Sequence, residues 1–372
     1  MGTKLKYYTS KNIRAKNALY NVIFGERSNG KTFDVLKEAF REYIESGEVN
    51  QLALVRRWDE DFVGANSART SYDSLMHDGN GKNQIKIISR GKYDGVEYYA
   101  GKYYLTVYDA EREKLTRTDK VITYGFSLTG AEHYKSAAFP HITTILFDEF
   151  MTRKYYLPDE FVTFQNLIST IVRQRTNVKI FMCGNTVNRY CPYFKEMGLY
   201  KAKTMKKGDI DVYTYGESGL TVAVEYSDSP SKSKPSDVYF AFNNPRLEMI
   251  KTGAWEIDIY PHCPVKYVPR DVLFFFFILF DDELLQCEIV QRDELLFVFI
   301  HRKTTPLKDT DNDLIYSTEY NPRPNYKRNI LKPSTRVEKK IHALFATDSV
   351  FYQDNEVGEI VRNYLMWCKK GG

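Results

Sequence analysis

The sequence predicts an α/β fold built on a largely parallel sheet, and three observations carry that expectation. The stretch Gly25–Thr32 has the form G-x-x-x-x-G-K-T and stands between an apolar strand and an amphipathic helix. Strand-like and helix-like runs alternate up to residue 226, and right-handed crossovers between them make the strands parallel. Aromatic residues reach 15%, with 29 Tyr and 23 Phe against 3 Trp, a composition that favours strands. With 43% hydrophobic and 27% charged residues, the 372-residue chain is neither disordered nor a coiled coil, and its length suits about two domains.

The elements follow in order. Asn21–Phe24 reads as a strand, and Phe33, Leu36, Phe40 and Ile44 mark one face of a helix that starts at Lys31 and stops at Gly47. A second strand covers Gln51–Arg56. Between Lys82 and Tyr124, the run Tyr98-Tyr99-Ala100-Gly101-Lys102-Tyr103-Tyr104 sets a Gly-Lys pair between two Tyr pairs and suggests inserted hairpins. Ile142–Phe147 is a strand, Asp159–Arg175 a helix and Val178–Cys183 another strand. Ser227–Ser236, rich in Ser, Pro and Lys, reads as linker. From Pro269 the pattern becomes a meander of Val272–Phe280, Leu284–Val290 and Leu295–His301, with turns at Asp281-Asp282 and Arg292-Asp293. A helix near Glu356–Lys369 closes the chain. The expected division is residues 1–226, a linker subdomain 227–268, and a C-terminal domain 269–372.

Chemistry is concentrated in the first part. In Gly25-Glu26-Arg27-Ser28-Asn29-Gly30-Lys31-Thr32 the glycines let successive N–H groups face phosphate oxygens at a helix N-terminus. Lys31 supplies charge there, and Thr32 offers its hydroxyl to Mg²⁺. Asp148, at the end of an apolar strand, is the expected second metal carboxylate. Glu149 beside it is placed to polarise a water for attack on the γ-phosphate of ATP, which separates a hydrolase from a kinase or a switch GTPase. Asn185, after the next strand, is either a γ-phosphate sensor or a turn former. The arginine such a site needs has candidates in Arg27, in Arg56 or Arg57, and in Arg173 or Arg175. On the expected helix, Arg173 projects from the polar face with Asn166 and Thr170, where it is free to reach a neighbouring subunit or remains a solvated charge.

Other classes are excluded by composition. The net charge of +5 permits contact with nucleic acid without arguing for it. Five Cys form no CxxC pair and read as structural thiols of a reducing compartment. Met1–Lys6 carries no apolar leader, and the longest apolar run, Val272–Phe280, is half of the ~20 residues a membrane helix needs, so no membrane partner is expected.

Together, Gly25–Thr32 with Arg in its third place, Leu54-Val55-Arg56-Arg57, Thr144–Phe150, Val172–Arg175 and Asn185-Thr186-Val187 with Cys191–Phe194 resemble the DNA-packaging ATPases of small short-tailed phages of the Picovirinae type. Phe351–Lys369 is similar to that family's C-terminal helix region. The resemblance implies an ASCE-type ATPase domain followed by a small linker and an α+β RNase H-like domain that has lost its nuclease site. It also implies a homomeric ring, a pentamer, that hydrolyses ATP to drive double-stranded DNA through the portal of a prohead in the host cytoplasm. In that family an arginine at the place of Arg173 acts in trans, and some relatives use a structural RNA. Loss of the nuclease site agrees with Val272–Phe280, which holds no carboxylate for a two-metal centre. The basic run Asn321–Lys340 and Lys201, Lys203, Lys206 and Lys207 read equally as phosphate contacts or solvated faces. A helicase or repair ATPase of the same fold, or an ATP-dependent assembly adaptor, are the alternatives.

Overall fold

The computed structural model describes residues 7–27, 29–64, 68–135, 137–152, 156–157, 159–186, 191–216, 218–228 and 260–369. Ser28 and most of the expected linker, 229–259, lie outside the described residues. The chain divides into two compact units. One holds the N-terminal chain, and the other holds residues from Ile257 onward with two short earlier segments, Arg153–Pro158 and Asn188–Pro192.

The first unit is organised by β1 (Tyr20–Gly25), every residue of which is buried. Before it comes α1 (Lys11–Arg14), and after it come α2 (Lys31–Glu45), β2 (Gln51–Arg56), α3 (Asp73–Met76), α4 (Gln84–Ile88), β3 (Gly95–Tyr99), β4 (Lys102–Asp109) and β5 (Lys114–Ser127). Then follow β6 (Ile142–Asp148), α5 (Glu160–Val172), β7 (Lys179–Asn185), α6 (Pro192–Glu196), β8 (Ile210–Tyr215) and β9 (Leu220–Ser227). Among the described residues the sheet runs β3-β4-β5-β2-β6-β7-β1-β9-β8. Its six central strands, from β5 to β9, are parallel, and antiparallel hairpin strands close both edges. Alternate residues serve opposite faces. Leu52, Leu54, Leu146 and Phe181 meet Val35, Leu36, Phe40 and Tyr43 of α2, while Phe147 packs on Phe164 of α5 with ring centroids 4.8 Å apart. Each such side chain, fully buried, contributes about 1.5–3 kcal/mol.

The parallel core and the hairpins of β3–β5 agree with the sequence reading, whereas the β8–β9 hairpin was not read from it, and three boundaries move. The helix expected over Asp159–Arg175 ends at Val172, and Arg173 leaves it with φ 52° and ψ −121°. The cause is Arg175, whose guanidinium donates to the carbonyls of Ile171 (2.8 Å), Phe139 (3.0 Å) and Pro140 (3.0 Å) and thereby satisfies the end of the helix. The expected placement of Arg173 on a helical polar face is therefore corrected. Ser227 is no linker residue: it pairs with Gly25 as the last residue of β9 and is fully buried. Asn185, finally, belongs to β7 rather than to the turn beyond it.

In the second unit, β10 (Val272–Phe280), β11 (Glu283–Arg292) and β12 (Leu295–Arg302) form the expected meander, followed by β13 (Ile315–Ser317), β14 (Tyr326–Lys327), α7 (Arg336–Ala346), β15 (Val350–Tyr352) and α8 (Asn355–Lys369). The order is β14-β13-β10-β11-β12-β15, with β13 parallel to β10 and β15 parallel to β12. The antiparallel meander of the sequence reading is thus extended by a parallel strand at each edge. Phe276, Ile278, Leu285, Ile341, Ile360 and Tyr364 form its core. Residues 260–268, expected in the linker, pack within this unit, since Tyr267 sets its ring on Phe297 and Phe299. Part of the basic run Asn321–Lys340 is the first turn of α7, capped by Thr335, which accepts from the Glu338 N–H at 3.2 Å.

Candidate active site

The C-terminal edge of the parallel strands gathers the site. Gly25 ends β1 against β9, where a Cβ would stand 2.3 Å from Ser227 Oγ, so only glycine lets the two chains approach. Gly30 opens α2 with φ 94°, a left-handed conformation, and Tyr7 lies where its side chain would begin. Between them the loop is gripped from outside. The Tyr8 N–H donates to the Asn29 carbonyl at 2.9 Å, and the Asn29 side-chain amide donates to Ser227 Oγ at 2.9 Å. Tyr8 Oη donates to Glu225 of β9 at 2.5 Å, and Ser10 donates to Asp34 through both its N–H (2.7 Å) and its hydroxyl (2.6 Å). Burial holds the Glu225 carboxyl up at about 7, against the Tyr8 hydrogen bond, and Asp34 adds to the rise. None of these outer supports was read from the sequence. The alternation in Leu220–Tyr226 was the available signal for β9.

Lys31 is buried and curls back over the loop, donating Nζ to the Glu26 carbonyl (2.5 Å), Asn29 Oδ1 (3.2 Å) and Asn185 Oδ1 (3.3 Å). Burial pushes its ammonium down to about 8, while the charges of Asp148 and Glu26 oppose the shift. Asn185 thus reaches the site, because β7 lies directly beside β1. Glu26 faces Lys207 in an ion pair. Arg27 is exposed on the loop and does not line the cavity.

Thr32 Oγ1 donates to Asp148 Oδ1 at 2.6 Å. A hydroxyl and a carboxylate at that spacing are hard oxygen donors that fit Mg²⁺, an ion that keeps most of its waters and takes few protein ligands. Asp148 is buried, whereas Glu149 has φ 60° and a side chain 59% exposed, so it turns out of the strand toward the cavity. Arg56, at the end of neighbouring β2, pairs with both: Nη2 lies 2.8 Å from Asp148 Oδ2 and Nη1 lies 2.9 Å from Glu149 Oε2. Arg57 points the other way and is structural. It binds Glu160 through Nε (2.7 Å) and Nη2 (2.8 Å) and donates to the Phe150 carbonyl at 2.7 Å, which fixes the chain just past Glu149.

A cavity of about 220 Å³ is lined by Asn29, Lys31, Thr32, Asp148, Glu149 and Asn185, among others. It brings together the loop, both carboxylates and Asn185 as the sequence reading expects. Arg173 stands elsewhere. Exposed, with Nη2 donating to the Ala137 carbonyl at 2.8 Å, it borders an open groove of about 850 Å³ with Lys135, Phe139 and Gln174. Arg175, spent on carbonyls, is a helix anchor rather than a phosphate ligand.

A phosphate loop between β1 and α2, opposed by an Asp-Glu pair ending a parallel strand, defines the class: a phosphate-loop protein with the apparatus of a nucleoside triphosphatase. Within that class the comparisons point to one group. Residues 110–213 match the family described as Podovirus DNA encapsidation protein (Gp16). The DNA packaging protein of Bacillus phage B103 is 26% identical over 184 residues, 49% of this chain and 48% of the relative. That of Bacillus phage phi29 is 23% identical over 194 residues, 51% of this chain and 50% of the relative. The chain spans about half the length of the curated relatives it matches. Among solved structures, the phi-28 gp11 DNA packaging motor aligns over 98% of this chain and 99% of its own at TM-score 0.57 and 18% identity. The bacteriophage phi-29 genome packaging motor assembly aligns over 96% and 99% at TM-score 0.56 and 17% identity. The chain therefore shares the fold of these packaging motor proteins. Among the described residues, no helix is long and apolar enough to cross a membrane.

Proposed function

We propose that this chain is the ATP-hydrolysing subunit of a motor that moves double-stranded viral DNA through a portal into a prohead. The observation that carries the reading is the contact of Thr32 with Asp148 at 2.6 Å beside an outward-turned Glu149, since a protein that only binds nucleotide needs no such base. Similarity to DNA packaging proteins, and a fold shared along nearly the whole chain with packaging motors, support the transport half.

On ATP binding, the loop N–H groups and Lys31 take the β- and γ-phosphate oxygens, so Lys31 exchanges its carbonyl and amide partners for phosphate. Thr32 and Asp148 would hold Mg²⁺, which when bound would supply charge neutralisation to the phosphates. Arg56 must loosen its hold on Asp148 and Glu149 before either acts. Glu149 then orients a water and accepts its proton as the water oxygen bonds to the γ-phosphorus and the bond to the β-phosphate oxygen breaks, giving ADP and phosphate. Asn185 is placed to sense the γ-phosphate. The position of Arg173, away from its own site, supports service to a neighbouring copy in a ring, a pentamer by resemblance. Nuclease activity is not part of this reading, because β10 holds no carboxylate.

The test is ATP turnover by the full chain with and without duplex DNA, followed by nuclease protection of added genome when proheads are present. DNA-stimulated hydrolysis with protection is expected. Strand separation, or assembly without hydrolysis, would replace the reading with a helicase or an adaptor.

A further inference from the structure

The hairpin strands β3, β4 and β5 present two unlike faces. Toward α3 and α4, Tyr103, Leu105 and Ile122 are buried to 2% or less. On the opposite face, cross-strand register places Tyr99 opposite Lys102, Lys102 opposite Tyr124, and Glu97 opposite Tyr104. Arg117 projects there too: its guanidinium lies 4.1 Å from the Tyr99 ring centroid and 5.1 Å from that of Tyr104. Lys102 Nζ lies 5.7 Å from the Tyr124 ring.

Two features separate these cations from ordinary surface charges. Two other lysines of the same region are paired, Lys86 with Asp94 at 2.9 Å and Lys120 with Glu48 at 3.7 Å. Arg117 and Lys102 have no carboxylate within 4 Å among the described residues. Each is instead held on a tyrosine face, an attraction that fixes the cation without neutralising it. Arg117 and Tyr99 are both exposed, Tyr99 to 55%. The result is a face of ring-held cations and tyrosine rings that also carries Glu97.

We infer that this outer face of β3–β5 is a contact surface for the phosphodiester backbone of duplex DNA, with Arg117 and Lys102 as its phosphate-binding residues. Charge complementarity carries the assignment: Lys102 on β4 and Arg117 on β5 place two cations on different strands of one face, which suits a partner that carries successive negative charges. The ring faces are occupied by the protein's own cations, so they serve to orient charge rather than to stack unpaired bases, which favours a backbone over a single strand. Immobilised cations also lose less freedom on binding than free side chains do. This inference rests on the proposed motor function and assigns part of its DNA contact.

The test measures binding of the full chain to a short fluorescein-labelled duplex DNA over a series of salt concentrations. Each phosphate contact contributes a slope of about 0.9 to the dependence of log K on log salt. Arg117→Ala with Lys102→Ala is expected to make the slope shallower by about two contacts and to weaken binding about tenfold or more at low salt. Arg117→Lys should keep the slope while weakening binding, since the charge remains but the ring-held plane is lost. Lys86→Ala with Lys92→Ala serves as a charge-matched control that should leave the slope unchanged. Binding of a fluorescent ATP analogue reports folding and should be unaffected in every variant. An unchanged slope in the Arg117/Lys102 variant, with wild-type protein binding DNA, overturns this inference and leaves the motor reading intact. Loss confined to single-stranded RNA, with duplex binding retained, also overturns it. Failure of the wild-type chain to bind duplex DNA at all overturns the motor reading itself.

Discussion

Two strands of this protein run out into adjacent carboxylates, β6 into Asp148-Glu149 and β10 into Asp281-Asp282, and only one pair makes a site. Both pairs involve positive backbone angles, φ 60° at Glu149 and 53° and 57° at Asp281 and Asp282. The difference is what surrounds them. β6 is a parallel strand between β2 and β7, so its end meets the ends of its neighbours: Arg56 from β2, Asn185 from β7, and Thr32 from the helix after β1. Crevices of this kind form outside the carboxyl ends of parallel strands because the connections diverge there. β10 instead folds straight back into β11 through the two aspartates, with Phe280 opposite Glu283. Such a turn needs residues that tolerate a left-handed conformation, which Asp does. Adjacent carboxylates thus serve chemistry in one place and chain reversal in the other.

That contrast can be broken from the supporting side. Arg57→Ala removes the cation that ties the chain after Glu149 to buried Glu160, and taking the cationic partner from a buried carboxylate, to which Tyr193 Oη still donates at 2.8 Å, should cost about 3–5 kcal/mol. Chemical denaturation of the variant checks this, and a loss within experimental error of zero would show that β6 ends firmly without it. Next in size is the pH dependence set by Glu225. Its folded-state value near 7 stands above the ordinary 4.5, so the folded protein holds the proton more tightly. Stability from this group is full below about 4.5 and is lost as pH rises through 7, a swing of about 3 kcal/mol. Glu225→Gln, which still accepts from Tyr8, should flatten that portion of the stability–pH curve. An unchanged slope in denaturation measured across the range would remove Glu225 as its source.

Lys31 gives a smaller effect on binding. Its ammonium, held down at about 8, is charged below that pH, so ATP affinity of the free protein should fall by up to about tenfold per unit as pH rises beyond 8. Isothermal titration with Mg²⁺·ATP reads this, and Lys31→Ala should bind weakly at every pH without the inflection. At the small end lies the second carboxylate pair. Asp281→Gly should change stability by about 1 kcal/mol or less and leave ATP turnover unaltered, because glycine readily adopts the left-handed backbone that the turn demands. A Mg²⁺- or Mn²⁺-dependent cleavage of linear duplex DNA that this substitution abolished would contradict the assignment of Asp281 to the turn.

How much of the site was legible depended on how local its causes are. The loop Gly25–Thr32 and the pair Asp148-Glu149 announce themselves because each is a contiguous pattern at the end of an apolar strand. Arg56 was named only as one of several arginines, since its role requires β2 to lie beside β6, a pairing that no local pattern states. Ser227 and Glu225 went unread because β9 reaches β1 across about two hundred residues. Arg173 was placed on a helix that Arg175 in fact ends, a choice made by carbonyls of residues 139 and 140 that periodicity does not see. The helix α7 had a legible start in Thr335-Arg336-Val337-Glu338, the capping-box pattern, hidden within a run read only for its charge.

The claim on which the rest depends is that Glu149 is the base of a hydrolytic site. Paired measurement of Mg²⁺·ATP affinity and steady-state turnover in Glu149→Gln tests it most directly. Affinity close to wild type with turnover at least about 100-fold slower is the predicted result, the usual contribution of a positioned general base. Turnover near the wild-type rate in a variant that still binds ATP would contradict it.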